Sequence, residues 1–580
     1  MACATGFSPS ASGAETDRGA DGVSGLLPIR DWLPGYDRRL LRGDVAAGIA
    51  VTALIVPKNL GYAGIAGIPL QNGLYAAAAG ALVYAVFGTC RQISTGPSSS
   101  LAAVAGGAVV VTGVSGGEAA ELVAAITLAT GLLFLVLAAL RLGRIAQFLS
   151  RAVVTGFLAG AAIDVVIGEL SKLTGTSAEG DNAWRELSSW LGSLDSVHWA
   201  TVAVGAAALV VVFGLRVVAP AVPGALVLVV GGLLASWLLD LGDHGVALVG
   251  DVPRGLPDPA LPGGHLVEEH LATIGTAALA LLLIGFSQTA GDARAFATRH
   301  GYRIDVNQES LAQGMANLGA GAFQGMPVST SLSASSLNES AGARTQMASL
   351  VTGGLVLLTL IALAPLFSEL PQPVLAALII DAVVMGMIDV PELRRLFRVK
   401  RFDFAVAAAA IVGVLSVGVL AGVVIGVALS LVWLVAVTTS PAMPLLSTVS
   451  GIAVVRIDGG LFFATADALH DRLREVVERS RVPLRAIVLD LDGVAFVDSQ
   501  GAAKLSELAA LGDAHGIVLR LAHVKPAVLQ VLVAEGLVER LGPNRIHGDV
   551  QHALDAQLAL DEGAAPQGAE RPAPGTVTRS

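Results

Sequence analysis

The sequence is poor in charged residues, aromatic residues and cysteine. Of its 580 residues, 14% are charged and 5% are aromatic, and soluble domains carry roughly 25% charged residues. The two cysteines, Cys3 and Cys90, lie far apart, so their spacing indicates neither a metal site nor a redox pair, and we expect no disulfide. Metal-binding histidine motifs and nucleophile–base pairs are also missing from the sequence. We therefore predict no metal, no cofactor, no nucleic-acid partner and no enzymatic activity.

Long hydrophobic runs are what the sequence has in abundance. Hydrophobic residues make up 54% of the chain, and apolar runs recur from Asp44 to Thr439, many of them about 20 residues long, the length of a membrane-spanning helix. The runs are continuous rather than alternating, which predicts helices. We predict an all-α polytopic membrane domain with fourteen spans, at residues 44–66, 71–88, 97–112, 120–141, 147–169, 200–218, 222–241, 271–298, 307–323, 329–341, 346–368, 372–390, 403–418 and 420–439.

The predicted loops differ in charge between the two sides of the membrane. Basic residues are frequent in the loops on the side of the two termini, for example Arg394 and Arg395, whereas the opposite loops hold little more than Lys172, Arg185 and Arg254. By the positive-inside rule both termini are cytoplasmic, and we expect a multi-pass protein of the plasma or inner cell membrane.

The hydrophobic pattern changes after residue 440. Short apolar runs alternate there with amphipathic, charged stretches, which predicts a soluble α/β domain. Its predicted strands lie at 452–457, 485–491 and 517–521, and its predicted helices at 466–478, 500–511 and 527–535. We divide the chain into a disordered tail (1–28), a transmembrane domain (29–440), a cytoplasmic domain (441–560) and a second disordered tail (561–580).

Two apolar segments are interrupted by a proline that precedes a serine-rich run. They are Gly96-Pro97-Ser98-Ser99-Ser100 and Pro327-Val-Ser-Thr-Ser-Leu-Ser333. The interruption lets a half-helix begin inside the bilayer with free backbone N–H groups and the positive end of its dipole exposed, which attracts anions. Gln288 follows Pro57 by the same interval as Pro327 follows Gly96 (288 − 57 = 231 and 327 − 96 = 231). We therefore predict an inverted repeat of seven plus seven spans with two half-helices.

Motifs in both halves and in the soluble domain resemble the sulfate permease (SulP) family of anion transporters. The first group contains Asp44-Val-Ala-Ala-Gly, Ile55-Val-Pro57, Gly73-Leu-Tyr75, Tyr84-Ala-Val-Phe-Gly88-Thr89 and Gly96-Pro97. The second contains His300-Gly-Tyr-Arg-Ile-Asp305-Val-Asn307-Gln308-Glu309, Ala316-Asn317, Pro327-Val-Ser329 and Ala341-Gly-Ala-Arg-Thr-Gln346. The soluble domain is similar to the family's STAS domain through Val488-Leu-Asp-Leu-Asp492 and Val497-Asp-Ser-Gln-Gly501.

The resemblance implies a homodimer with core and gate bundles, an elevator-like movement, and an anion held between the half-helices of spans three and ten. Members of the family carry sulfate, bicarbonate, chloride, oxalate or dicarboxylates. An alternative role for the serines is to cap the freed backbone or to let helices pack closely. Carried over by position, the anion-binding residues are Pro97, Ser98, Ser99, Ser100, Ser331, Leu332, Ser333 and Ala334.

Three positions depart from the family pattern. Relatives often have arginine where this chain has Ala334, a carboxylate where it has Gln288, and glutamate or glutamine where it has Lys58. The carboxylate nearest to Gln288 is Asp292, one helical turn further on the same face, and Thr289 lies beside it. A charge at membrane depth needs a partner or water.

We therefore hypothesise that Lys58 and Asp292 pair near the anion site, where Lys58 replaces the missing arginine. In the alternative, Lys58 extends to an interface while Asp292 pairs with Arg294 or Arg299.

Two further features remain open at the level of sequence. Asp164 and Asp381, in the fifth and twelfth spans, are either proton or cation sites or members of ion pairs between bundles. Ser499 stands where anti-sigma-factor antagonists are phosphorylated, and the alternative is that it is a helix N-cap.

The sequence thus predicts a secondary active transporter of small inorganic oxyanions, sulfate first and bicarbonate second, that sits in a lipid bilayer. Coupling to H⁺ through Asp292, or to Na⁺ through Asp292, Thr289 and Gln288, is part of this prediction. Two alternatives are a transport-inactive membrane scaffold or sensor that signals through the STAS-like domain, and an anion channel.

Overall fold

The computed structural model describes residues 27–142, 151–178, 180, 182–219, 222–250, 252, 255–256, 258–561 and 563. It divides the chain into two compact units, Met1–Ser430 and Leu431–Ser580. Most of both predicted tails, and the start of the fifth predicted span, lie outside the described residues.

Helices make up most of the chain from Ile29 to Thr439, and one occupies each of the fourteen segments predicted to span the membrane. Eight helices among the described residues are long and apolar enough to cross a membrane, so the count of fourteen crossings stays a prediction. The helices are α1 (Ile29–Trp32), α2 (Leu41–Ile65), α3 (Leu70–Phe87), α4 (Ser99–Thr112), α5 (Gly116–Ala139), α6 (Arg151–Thr174), α7 (Ala183–Gly192), α8 (Trp199–Val218), α9 (Gly224–Leu239), α10 (Gly264–Glu269), α11 (Leu271–His300), α12 (Val306–Ala322), α13 (Leu332–Ser340), α14 (Met347–Ala362), α15 (Gln372–Met387), α16 (Val390–Val399), α17 (Arg401–Val417) and α18 (Val419–Thr439).

Two short strands join the halves of the helical unit. Strand β1 (Thr95–Gly96) pairs antiparallel with β2 (Ser329–Thr330), and α4 and α13 begin two residues or so beyond them. This is the arrangement expected of two half-helices in an inverted repeat. The helices start at Ser99 and Leu332, an interval of 332 − 99 = 233. This interval lies within two residues of the 231 that separates Gly96 from Pro327.

Helix α2 packs closely against both α3 and the first half-helix, α4. A Cβ atom on Gly73 in α3 would lie 2.2 Å from the carbonyl oxygen of Asn59, and one on Gly106 in α4 would lie 2.3 Å from that of Ile65. A larger residue at either position would push its helix away from α2. Glycine at these two positions therefore allows α2 to pack closely against α3 and α4.

The second unit contains a five-stranded sheet in the order β3-β4-β5-β6-β7, in which only the β3–β4 pair is antiparallel. One face of the sheet packs against the apolar sides of α19, α20 and α21, and the other against α23. All six elements predicted in this region are present, whereas β3, β7, α22 and α23 were not predicted. The elements are β3 (Leu445–Val449), β4 (Ile452–Arg456), α19 (Ala466–Arg479), β5 (Ala486–Asp490), α20 (Ser499–Ala514), β6 (Val518–Ala522), α21 (Pro526–Ala534), α22 (Leu537–Leu541), β7 (Ile546–His547) and α23 (Val550–Asp561).

Candidate functional site

A small cleft of about 20 Å³ lies where α2, β1 and the start of α13 meet. Polar groups from all three elements line it, together with a few apolar side chains. Both half-helices begin beside the strands, but only the first turn of α13 reaches this space. The predicted residues Ser98, Ser99 and Ser100 at the start of α4 are not among its lining residues. The lining residues are Leu54, Ile55, Lys58, Asn59, Tyr62, Ser94, Thr95, Gly96, Pro97, Ser331, Ser333 and Ala334.

The first half-helix begins with serines that are bound to each other and to α11. Ser98 is the N-cap residue of α4, but its side chain makes no capping hydrogen bond. Its Oγ lies 3.1 Å from Oγ of Ser100, which accepts a hydrogen bond of 3.0 Å from Nε2 of Gln288. Ser99 and Ser100 are buried. The alternative that these serines cap the helix is therefore wrong for Ser98.

The second half-helix is capped and more exposed. Oγ of Ser331 accepts a hydrogen bond of 3.4 Å from the backbone N–H of Ala334 and lies 3.4 Å from Oγ of Ser333. Leu332 is 55% exposed and is not among the lining residues. At this end the predicted residues Ser331, Ser333 and Ala334 line the cleft, and Leu332 does not.

Lys58 lines the cleft but does not pair with Asp292. Among the described residues Lys58 forms no ion pair, and Asp292 Oδ2 instead accepts a hydrogen bond of 2.8 Å from Thr330 Oγ1 in β2. The alternative partner Arg299 is also wrong, because it binds Glu339 at 2.5 Å. The physical reason is geometric: Asp292 on α11 faces β2, whereas Lys58 on α2 faces the start of α13.

Several polar atoms near this site are buried and have no hydrogen-bond partner within the described protein. They include Nδ2 of Asn59, which lines the cleft, and Oε1 of Gln288 and Oγ1 of Thr289 behind the first half-helix. Buried polar groups are almost always bonded, so atoms of this kind indicate a place for water or a polar ligand.

The other carboxylates within the helices have identifiable surroundings. Asp381 on α15 accepts two hydrogen bonds from Arg216 on α8, at 2.7 and 2.8 Å, which favours the ion-pair alternative for this residue. Glu169 pairs with Lys172 at 2.7 Å. Asp164 is half-buried on α6.

One buried carboxylate with a clear structural role was not predicted. Glu309 on α12 accepts hydrogen bonds from the Tyr84 hydroxyl at 2.5 Å, from the backbone N–H groups of Thr89 and Cys90 at 3.0 and 3.1 Å, and from the Thr89 hydroxyl. It thereby holds the loop that leads into β1. The signal in the sequence was that Glu309 is the one charged residue of α12.

In the soluble unit, the N-cap of α20 is Asp498 rather than Ser499. Oδ1 of Asp498 accepts a hydrogen bond of 2.7 Å from Gly501 N–H, and its Oδ2 accepts one of 3.0 Å from Phe463 N–H. The capping alternative for Ser499 was therefore wrong, because the aspartate before it already fills that role. Ser499 is the exposed first residue of the helix, and its phosphorylation stays a prediction.

Paired half-helices that open on a polar cleft within an apolar helical unit define a polytopic membrane transporter. The model of the sulfate permease family matches residues 41–410, and that of the STAS domain matches residues 443–553. The chain therefore belongs to the sulfate permease family and carries a STAS domain. This is a family of transporters, not of enzymes.

The chain is similar to relatives over nearly its whole length. It is 34% identical to a probable sulfate transporter of Mycobacterium tuberculosis, over 90% of this chain and 98% of the relative. Murine solute carrier 26 family member A9, an anion transporter solved in the inward-facing state, shares its fold with a TM-score of 0.82 at 21% identity, covering 94% and 97% of the two chains. The transmembrane domain of a cyanobacterial bicarbonate transporter, BicA, has a TM-score of 0.57 at 20% identity, over 68% of this chain and 98% of that one.

Proposed function

We propose that the chain is a secondary active transporter of small inorganic anions, with sulfate as the first candidate and bicarbonate as the second. The observation that carries the proposal is the cleft, in which Lys58 lies beside the starts of two half-helices. Helix N-termini and an ammonium group all favour negative charge. Family membership and the sulfate transporters among the relatives support sulfate, and the fold shared with BicA supports bicarbonate.

Lys58 takes the role that arginine has in relatives at the position of Ala334. In this role its ammonium group offsets the charge of the anion, while the serine hydroxyls and the free N–H groups of α4 replace part of its hydration shell. Pro97, Ser98, Ser99, Ser100, Ser331 and Ser333 are the neighbours assigned to this task. The buried Asn59 side chain is a further donor beside the cleft.

We further infer that transport is elevator-like, in a homodimer, with H⁺ as the coupling ion. Asp292 is the proposed proton site, because its carboxylate is bonded to Thr330 in the strand that precedes the second half-helix. Na⁺ coupling through Asp292, Thr289 and Gln288 is the competing version. The protein is placed in the plasma or inner membrane with both termini in the cytoplasm, on the distribution of basic residues.

Uptake of radiolabelled anions into proteoliposomes tests the proposal. We expect saturable sulfate uptake that bicarbonate inhibits, and a fall of roughly tenfold to a hundredfold in Lys58→Met, because an interaction with a buried charge is lost. Lys525→Met is the matched control, since Lys525 is an exposed lysine of the second unit.

The competing functions give different results in the same assay. Wild-type protein that takes up no anion under any gradient would favour the scaffold or sensor. Uptake that never saturates would favour a channel. Uptake that ignores both H⁺ and Na⁺ gradients would leave an exchanger and defeat the coupling proposal.

A further inference from the structure

An ion pair joins α15 to α8, and α15 packs against α2, the helix that carries Lys58. Helix α2 packs on α15 through small residues, and a Cβ atom on Gly61 would lie 3.3 Å from Cγ1 of Ile379. The same Cβ atom would lie 3.9 Å from Cδ2 of Leu378, and Asp381 follows Leu378 by about one turn on the same face of α15. Asp381 is 1% exposed, and both of its oxygens are bonded to Arg216 at 2.7 and 2.8 Å. Lys58 precedes Gly61 by about one helical turn on the face of α2 that meets α15.

Three charges therefore act together at this point. Among the described residues, Lys58 interacts electrostatically with Asp381 and with Arg216. Asp381 attracts its ammonium group, and Arg216 repels it. The two cations and one carboxylate leave a net charge of one positive unit. Lys58 makes no ion pair with any residue that the structure describes, so this uncompensated charge lies at the cleft rather than at the bonded pair.

Charge at a partly buried site acts over longer distances than at a surface, because solvent screens it less. Asp381 neutralises one of the two cations. Its partner Arg216 in turn keeps Asp381 from neutralising Lys58 completely. The balance of the three groups thus sets how much negative charge the cleft accommodates.

On the basis of the proposed function, we propose that Asp381 and Arg216 are positioning residues that determine whether this transporter prefers monovalent or divalent anions. They set the net charge around Lys58 without touching the anion. Removal of the Asp381 charge raises the local charge to two positive units and favours a dianion. Removal of the Arg216 charge lowers it to zero and disfavours a dianion.

The test uses three variants of the full chain: Asp381→Asn, Arg216→Gln and the double variant. Each is reconstituted into proteoliposomes, and KM is measured for sulfate and for nitrate, one dianion and one monoanion. We expect the ratio of KM(nitrate) to KM(sulfate) to rise roughly tenfold in Asp381→Asn and to fall by a similar factor in Arg216→Gln, as one unit charge over about 10 Å would cause. The double variant restores the net charge of the wild type and should return the ratio to within about threefold of it.

A purely structural role for the pair gives a different pattern. Both single variants would then lose uptake of the two anions in parallel, with no opposite change in the ratio, and that result overturns the inference. Size-exclusion profiles in detergent show which variants fold, and the double variant, which leaves no unpaired charge at positions 216 and 381, serves if a single variant does not. If the wild type takes up neither anion, the same ratio is measured by equilibrium binding to the purified chain, and absence of binding of both anions would overturn the proposed function as well.

Discussion

Glu309 and Lys58 are both charged and both lie within the helical unit, but their surroundings are opposite. Glu309 is fully buried, and its oxygens accept four hydrogen bonds from Tyr84, Thr89 and Cys90. Lys58 has no ion-pair partner among the described residues and borders a cleft, beside Asn59 with its unbonded amide nitrogen. A buried charge with a complete set of partners holds the fold together, whereas one without them is tolerated where a ligand or water supplies the rest.

The largest effect is expected from Glu309→Gln. The amide would place a donor against hydroxyl and N–H donors that the carboxylate satisfies, so we expect the free energy of unfolding to fall by about 3 kcal/mol or more. Thermal unfolding of the purified protein in detergent measures this. Glu118→Gln, the same change at an exposed position at the start of α5, should leave the unfolding temperature unchanged. Equal unfolding temperatures for Glu309→Gln and wild type would show that the hydrogen bonds of Glu309 do not stabilise the fold.

Lys58→Met should separate function from stability. Because Lys58 has no ion pair to lose and a buried charge is costly, we expect stability within about 1 kcal/mol of wild type or higher, although anion uptake is lost. The same thermal unfolding assay, combined with uptake, measures both quantities. Lys58→Arg keeps the positive charge and should retain part of the uptake. A variant that is as unstable as Glu309→Gln would mean that Lys58 has a structural role.

Ser100→Ala should have a smaller effect, confined to transport. It removes the acceptor of the hydrogen bond from Gln288 at the start of the first half-helix. Loss of one such bond is worth about 1 kcal/mol, which corresponds to a rise of about fivefold in KM for the anion. Ser340→Ala, at the exposed end of α13, is the matched control. A KM that changes equally in both variants would argue against a role for Ser100 at the site.

The smallest effect concerns Asp44, a second fully partnered carboxylate, and its donor Tyr36. The Tyr36 hydroxyl donates a hydrogen bond of 3.0 Å to Asp44, and burial, together with the negative charge of Asp44, raises the pKa of Tyr36 from 10.0 to about 12. The contribution to stability is complete below pH 10 and is lost as pH rises towards 12, because the folded state holds the proton more tightly. Unfolding temperatures measured at pH 8 and pH 12 should therefore converge for Tyr36→Phe and wild type at the higher pH. A difference that stays constant with pH would contradict this.

Much of the architecture could be predicted because its signals are local. Continuous apolar runs placed fourteen of the eighteen helices described between Ile29 and Thr439, and alternating short runs placed six elements of the STAS domain. Proline ahead of serine located the two half-helices at α4 and α13. Elements without a strong local pattern, such as β3 and α23, were missed.

The partners of the charged side chains could not be predicted in the same way. Asp381 and Arg216 are 165 positions apart, and Asp292 and Thr330 are 38 apart, so nothing in their local sequence relates them. Reasoning by adjacency to Gln288 suggested Asp292 as the partner of Lys58. The packing of α2 on α15 instead brings Lys58 towards Asp381.

Sequence alone was sufficient for the class of protein, for the position of the two half-helices and for the presence of Lys58 near them, since each follows from hydrophobic length, helix interruption or a local motif. The tertiary structure decided which charges meet. The pairing of β1 with β2, the closed pair of Asp381 and Arg216, and the unpaired state of Lys58 depend on how helices far apart in the chain pack. Electrostatic interactions follow distance in space, and only the packed fold sets that distance.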